Sequence, residues 1–365
     1  MEVEALDGSD GDSRWSKLGT TLPVRNVQAL AAVAAGELTG DAIERYIQPD
    51  IDADAVIPTH SDEVPVIDLG KLTGAESMEA ETAKLRFACE EWGFFQVVSL
   101  KSPDAVCCLP GGSETIFLRR STFAFFLREN LYTSAKLVNH GVPDEIILAI
   151  RRDIEKFFQL PLDVKNAYAQ RQGDLQGYGQ AFILSHDQKL DWADMFGLYT
   201  QPPQARDMSF WPSQPPMFRM NYYPPCTSMP EKVLGLSPHS DGSFLTILLE
   251  VNSVQGLQIR RRGAWLPVKP LANALLLNVG DLLEIMTNGK YKSIEHRVTI
   301  NAHQERLSIS AFHVPKYDGI VSPLLGTTEE KVLYKTTKVE EYSRLYLSKK
   351  LHGKRTLDHA KLSQT

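Results

Sequence analysis

"LSPHSDGSFLTILLEV", residues 236–251, sets a histidine and an aspartate two residues apart at the head of an apolar run. In an extended strand, residues i and i+2 point to one face. His239 and Asp241 are therefore expected to leave one side of a strand entering the core. Alone the pair says little, because a chain with nine histidines is expected to hold a His-x-Asp triplet about half a time by chance. His296 supplies company. It heads "HRVTIN", 55 residues beyond Asp241. Two histidines and one carboxylate on one side of a metal form a facial triad that leaves positions open and suits non-haem Fe(II). Zinc hydrolysis can use the same residue types, usually on a helical His-Glu-x-x-His, which this sequence lacks.

Ten residues past His296, "RLSIS" places Arg306 and Ser308 on one strand face. A buried guanidinium seeks a planar acid, and a neighbouring hydroxyl adds a bond to the same oxygens. A dicarboxylate would satisfy both. The bland alternatives are a solvated arginine and an edge serine.

The texture around these residues is β-rich from Phe218 onward. "FRMNYYPPC", "FLTILLEV", "GLQIRRRGAWLPV", "ALLLNVGDLLEIM", "HRVTIN" and "RLSISAFHV" are short runs separated by turn residues. Such spacing predicts an antiparallel barrel or double sheet. Gly263 is placed at a hairpin turn and "TNGKY" at another break. Upstream, "VRNVQALAAVAAGELTGDAIERYI" reads as one or two helices, and "VPVIDLGKL" and "FFQ" as strands. "ESMEAETAKLRFACEEWG" is helical. "DEIILAIRRDIEKFFQLP" is an amphipathic helix with apolar positions at Ile146, Ile147, Ile150, Ile154, Phe157 and Phe158. "LVNHGVP" reads as a strand end, "GYGQAFI" and "DWADMFGLYT" as strands or turns, and "VEEYSRLYLSKKLHGK" as a polar helix.

Composition narrows the function classes. The 365 residues are 43% hydrophobic and carry a net charge of −6 without a long basic block. That argues against nucleic acid and for a small-molecule or protein partner. No apolar stretch is long enough for a membrane span. The acidic start "MEVEALDGSDGDSRW" lacks the features of a signal peptide. Cys89, Cys107, Cys108 and Cys226 show neither zinc spacing nor a disulfide framework. The expectation is a reduced, cytoplasmic protein; oligomeric state is left open.

"NYYPPC" (221–226), "HSD" (239–241), "EHR" (295–297) and "RLS" (306–308), in this order, resemble the plant Fe(II)/2-oxoglutarate-dependent dioxygenases. "PVIDL", "EWGFFQ", "LVNHGVP" and "QKLDWADMF" resemble the N-terminal part of that family, and the nearest group is the codeine O-demethylase-like and S-norcoclaurine-synthase-like enzymes. The resemblance implies an α+β, mainly β fold: a distorted double-stranded β-helix (jelly roll) with an N-terminal α/β region and a C-terminal helix. It implies Fe(II) on His239, Asp241 and His296, and 2-oxoglutarate as cosubstrate with O2 as the second. Arg306 and Ser308 are implied to hold the distal carboxylate, Tyr223 to add a hydrogen bond and Asn221 to orient the cosubstrate. Phe312 is placed to stack on an aromatic substrate. Plain alternatives are core packing for Phe312 and Tyr223, and a turn cap before Pro224 for Asn221. His140 is read as structural, and His186, His303 and the remaining histidines as surface. The implied reaction is hydroxylation or O-demethylation of a plant specialised metabolite, with release of succinate and CO2.

Two features depart from that family. Val97–Lys136, 40 residues, interrupt what reads as one strand between "GFFQ" and "LVNHG" and resemble an in-frame translated intron. "FWPSQPP" (210–216) passes directly into "MFRMNYYPPC" without the family's covering helical stretch. An uncovered sheet would show an apolar face. The expected divisions are a leader (1–60), an N-terminal region (61–213, with 97–136 inserted), the jelly roll (214–325) and a helical tail (326–365). A catalytically impaired or unstable splice form of such an enzyme is the second reading. A cupin-type metal jelly roll is the third; it has no need of Arg306 and Ser308.

Overall fold

The structure, a computed structural model, describes residues 21–33, 40–49, 51, 55–57, 63–73, 77–97, 142–201, 206–211, 219–326 and 330–363. Twelve of its strands form two sheets. They are β1 (Val66–Ile67), β2 (Phe94–Val97), β3 (Gly177–Gly179), β4 (Asp194–Gly197), β5 (Arg219–Tyr223), β6 (Leu234–His239), β7 (Leu245–Glu250), β8 (Leu257–Arg261), β9 (Ala264–Pro267), β10 (Leu275–Val279), β11 (His296–Thr299) and β12 (Arg306–His313). The larger sheet runs β1-β2-β10-β7-β12-β5-β4-β3 and the smaller β6-β11-β8-β9. Only β1 and β2 pair in parallel among these strands. This is a jelly roll with helices at its flanks, mainly β within an α+β class.

The sheets close over one apolar layer. Phe94, Tyr223 and Leu276 of the larger sheet meet Leu257, Ile259, Leu266 and Val298 of the smaller. The pleat explains the selection: alternate residues face inward, and β-branched or long aliphatic side chains fill the gap. The hairpin β8–β9 turns through Arg262 (φ 49°) and Gly263 (φ 80°). Two consecutive positive-φ residues match the right-handed twist of the strands, and glycine takes the second position at no steric cost.

The Asp144–Gln159 helix covers the outer face of the larger sheet. Ile147, Ile154, Phe157 and Phe158 pack on Phe196, Met220, Tyr222, Leu249, Leu307 and Ile309. Each such side chain contributes roughly 1.5–3 kcal/mol on burial. Ile146, expected on this buried face, is exposed, and so is Leu148, at 57%. Positions 147, 154, 157 and 158 are buried against the sheet, and Ile150, half-buried, packs beside them. The Met78–Phe87 helix covers the other end, where Leu85 joins Ile67, Phe95, Val97 and Val279. Leu275 packs at the margin of the first cluster and Leu277 at the margin of the second, and both are half-buried.

"ALLLNVGDLLEIM" does not form one strand. β10 stops at Val279, and Asp281–Met286 is a helix. Apolar residues run on through the junction, so periodicity hides the break that Gly280 and Asp281 make. The expected tail helix is present at Val339–Leu347, and the expected leader helices at Val27–Ala31 and Gly40–Glu44. The interruption expected at 97–136 does not begin at Val97, which closes β2 and pairs with Ile67; its remainder, 98–136, with His140 and the stretch 212–218, lies outside the described residues. No helix among the described residues is long and apolar enough to cross a membrane.

Candidate active site

His239 closes β6 and His296 opens β11, and the two are direct partners across the antiparallel pair. Register therefore brings together residues far apart in sequence. Their Nε2 atoms approach the same oxygen, Asp241 Oδ1, at 3.5 Å from His239 and 3.7 Å from His296. The three ligand atoms lie within 4.8 Å of one another, and all three residues are buried.

Asp241 reaches this position differently from the expectation. It is not in a strand. β6 ends at His239 and Asp241 lies in the following turn. The shared-face argument from strand pleating therefore does not explain its aim. Hydrogen bonds do. Oδ2 accepts from Thr246 Oγ1 at 2.6 Å and from Asn278 Nδ2 at 2.7 Å, and the Asp241 carbonyl accepts from Asp281 N at 2.8 Å. With Oδ2 committed, Oδ1 is left toward the imidazoles.

The histidines are oriented in the same manner. His239 Nδ1 lies 2.8 Å from the Ser237 carbonyl, and His296 Nδ1 3.2 Å from the Ile294 carbonyl. A carbonyl can only accept, so each Nδ1 carries the proton and each Nε2 keeps its lone pair for a metal. The electrostatics agree. Burial pushes His296 down to about 4, helped by His239, so the ring is neutral at ordinary pH. Burial alone would raise the Asp241 carboxyl, but His296, His239 and the Thr246 hydroxyl outweigh it and hold the group well below the usual carboxylate range. A neutral imidazole and an ionised carboxylate are the states that bind a divalent cation.

The second group of expected residues is also assembled, on β12 and β5. Arg306 pairs in register with Tyr223, and Ser308 with Asn221. All four are buried. Asn221 Nδ2 lies 3.4 Å from Ser308 Oγ, and the Arg306 guanidinium sits 5.1 Å from the centre of the Tyr223 ring. Arg306 is 2% exposed, yet among the described residues its Nε and Nη1 have no hydrogen-bond partner. Buried N–H groups are rarely left so. These orphaned donors, with Ser308 beside them, fit a carboxylate of a bound dicarboxylate. Nη2 is engaged by Glu250 Oε1 at 2.5 Å.

Phe312 lies one residue before the end of the same strand and is 42% exposed, so it is not a core residue. Its ring lies 5.9 Å from the Arg219 guanidinium, which also lies 6.0 Å from the Phe182 ring. Phe182 and Arg219 line a pocket with Gln180, Asp191, Asn221 and Lys350. His186 and His303 are exposed, as expected of surface histidines.

The chain matches the 2OG-Fe(II) oxygenase superfamily over residues 214–315. It matches the non-haem dioxygenase in morphine synthesis N-terminal family over residues 64–107 and 134–214. It is 37% identical to 2-oxoglutarate-dependent dioxygenase 11 of Oryza sativa subsp. japonica, over 94% of this chain and 98% of that one. The chain belongs to the 2OG-Fe(II) oxygenase superfamily. It is 35% identical to codeine O-demethylase of Papaver somniferum, over 95% of this chain and 98% of that one. The crystal structure of JOX2 in complex with 2OG, Fe and JA superposes with a TM-score of 0.72 at 29% identity, covering 94% of this chain and 99% of that one. Enzymes of this superfamily use Fe(II) and 2-oxoglutarate, and the dioxygenase class expected from the sequence is the class the chain falls in.

Several neighbours of the site were not foreseen. Thr246, Asn278 and Glu250 are polar residues inside or closing apolar runs, "LTILLE" and "LLLNV". A lone polar side chain on the inward face of a buried strand is the signal that could have found them. Arg219 stands at the start of β5, next to the quoted "NYYPPC".

Proposed function

We propose that this oxygenase hydroxylates or O-demethylates a small plant specialised metabolite, with release of succinate and CO2. His239, Asp241 and His296 hold the metal, Arg306, Ser308, Asn221 and Tyr223 hold the cosubstrate, and Phe312 borders the substrate. The observation that carries this reading is the pairing of two half-sites. Two histidines whose Nδ1 atoms face backbone carbonyls share one carboxylate oxygen, and a buried arginine keeps two donors without hydrogen-bond partners among the described residues. A cupin-type site accounts for the first and leaves the second unexplained.

When bound, Fe(II) with 2-oxoglutarate and O2 supplies the oxidising chemistry. The chain's own part is positional. Thr246 and Asn278 fix the Asp241 rotamer, and the Ser237 and Ile294 carbonyls fix the two rings, so the ligand atoms need no rearrangement. Arg306 and Ser308 hold the far end of the cosubstrate, which sets its depth relative to the triad. The buried layer of both sheets excludes water from that end. The exposed Phe312 ring, Phe182 and Arg219 offer an aromatic, cationic border to an incoming ring system. The codeine O-demethylase and flavonoid 7-O-demethylase relatives support a methoxylated aromatic substrate. A cytoplasmic location is supported by the buried free thiols of Cys89 and Cys226.

The test is incubation with Fe(II), 2-oxoglutarate, O2 and a panel of methoxylated and unmethoxylated aromatics. Substrate-dependent succinate with a hydroxylated or demethylated product is expected. Succinate release with no substrate in the panel altered would overturn the substrate class.

A further inference from the structure

Arg306 already has an anionic partner. Glu250, at the end of β7, is the register partner of Ser308 and faces the same side of the sheet. Its Oε1 takes Arg306 Nη2 at 2.5 Å, while Oε2 is buried with no partner. The position of this contact matters. A guanidinium offers a carboxylate two edges, Nη1 with Nη2 or Nε with Nη2, and Nη2 belongs to both. Nη2 carries one hydrogen on each edge, so a carboxylate on Nη2 takes part of one seat and lays its charge beside any carboxylate that uses the other. The result is a one-point ion pair with three unsatisfied buried atoms: Arg306 Nε, Arg306 Nη1 and Glu250 Oε2. A pair evolved only to stabilise the sheet is expected to satisfy those atoms.

We propose that Glu250 is an internal competitor for the cosubstrate: its carboxylate occupies the arginine that the distal carboxylate of 2-oxoglutarate needs, and binding requires Glu250 to give up Nη2 and take up a proton. This rests on the reading of Arg306 as the cosubstrate anchor. With a dicarboxylate seated on Arg306, an ionised Glu250 would face a second carboxylate in a buried site. Like charges so placed cannot both persist, and the proton goes to Glu250. The charged and titratable groups around Glu250 are Arg306 on β12, Arg151 on the Asp144–Gln159 helix and Tyr223 on β5. The arginines stay charged and burial raises the tyrosine, so neither titrates near neutrality. Burial raises Glu250 itself, against the pull of Arg306 and Arg151. Affinity for 2-oxoglutarate should then rise as pH falls.

The experiment is anaerobic calorimetric titration of 2-oxoglutarate into the Mn(II)-loaded chain, for the parent, Glu250→Gln, Arg306→Lys and the double variant. Glu250→Gln is expected to tighten 2-oxoglutarate by about tenfold or more. It should leave 2-oxobutyrate, which lacks the distal carboxylate, unchanged. The parent is expected to bind more tightly at about pH 6 than at about pH 7.5 and to take up a proton, seen as a dependence of heat on buffer ionisation enthalpy. Glu250→Gln should lose both effects. The proton measurement on the parent stands even if a variant fails to fold. Unchanged or weaker binding in Glu250→Gln, equal tightening of both oxo acids, or no proton uptake by the parent would overturn the proposal. If Arg306→Lys weakens binding while Glu250→Gln does not tighten it, the competitor fails and the anchor survives. If Arg306→Lys leaves binding unchanged, the anchor fails and the competitor with it.

Discussion

His239 and His296 face each other across β6 and β11 with ring centres 4.3 Å apart and planes inclined by 50°. Neither ring is placed by its own side-chain preferences alone. Each is aimed by a backbone carbonyl two residues upstream, so the pair is built into the strands before any metal arrives.

Thr246 and Asn278 do the same for Asp241, and removing either should be felt at the metal. Thr246→Val keeps the shape and loses the hydroxyl that donates to Oδ2; Asn278→Leu loses the amide. Each is expected to weaken metal binding by roughly 10–100-fold with the melting temperature changed far less. Metal affinity equal to the parent in both would remove them from the site.

The turn carrying Asp241 also depends on Gly242. A Cβ there would meet the Tyr346 ring at 2.7 Å, and the Tyr346 hydroxyl donates to the Ser240 carbonyl at 3.0 Å. Gly242→Ala must push the ring and this bond aside. A loss of about 1–3 kcal/mol in stability is expected, together with weaker metal binding. Chemical denaturation and metal titration of the variant measure both.

Phe312→Ala should separate substrate from cosubstrate. The ring is exposed, so truncation opens no core cavity and the melting temperature should hold. The KM for an aromatic substrate should rise several-fold, while 2-oxoglutarate affinity stays unchanged. A fall in melting temperature with unchanged KM would return Phe312 to a packing role.

Asp194 makes stability depend on pH. It is fully buried and accepts the Val27 and Gln28 backbone N–H groups at 2.9 and 2.8 Å, capping the Val27–Ala31 helix from β4. Burial raises its carboxyl to about 6, above the unfolded value. Between about 4 and about 6 the native state thus binds more protons than the unfolded chain, and stability falls as pH rises through that window. Relative to Asp194→Asn, the parent should gain about 1.4 kcal/mol when pH is lowered from about 7.5 to about 5. Parallel melting curves for the two chains across that range would contradict the assignment.

Much of this was legible in the sequence because the apolar runs that form β5 to β12 are short and separated by turn residues. His239, His296, Arg306 and Ser308 could be placed for the same reason, since strand pleating sets their direction. Asp241 was found by its spacing but for a reason the structure corrects, because a turn and three hydrogen bonds, not a shared strand face, aim it. Those bonds come from residues tens of positions away in part, as with Asn278, and spacing carries no record of them. The Asp281–Met286 helix was hidden because its apolar residues continue those of β10. Glu250 reads in the sequence as the end of a strand, and only the three-dimensional register shows that it meets Arg306.

The claim on which the rest depends is that His239, Asp241 and His296 form one iron site. Anaerobic equilibrium titration of Fe(II) into the parent and into His296→Ala tests it most directly. The account predicts one tightly bound ferrous ion per parent chain, and loss of that site in a variant that still melts like the parent. Equal stoichiometry and affinity in the two chains would contradict it.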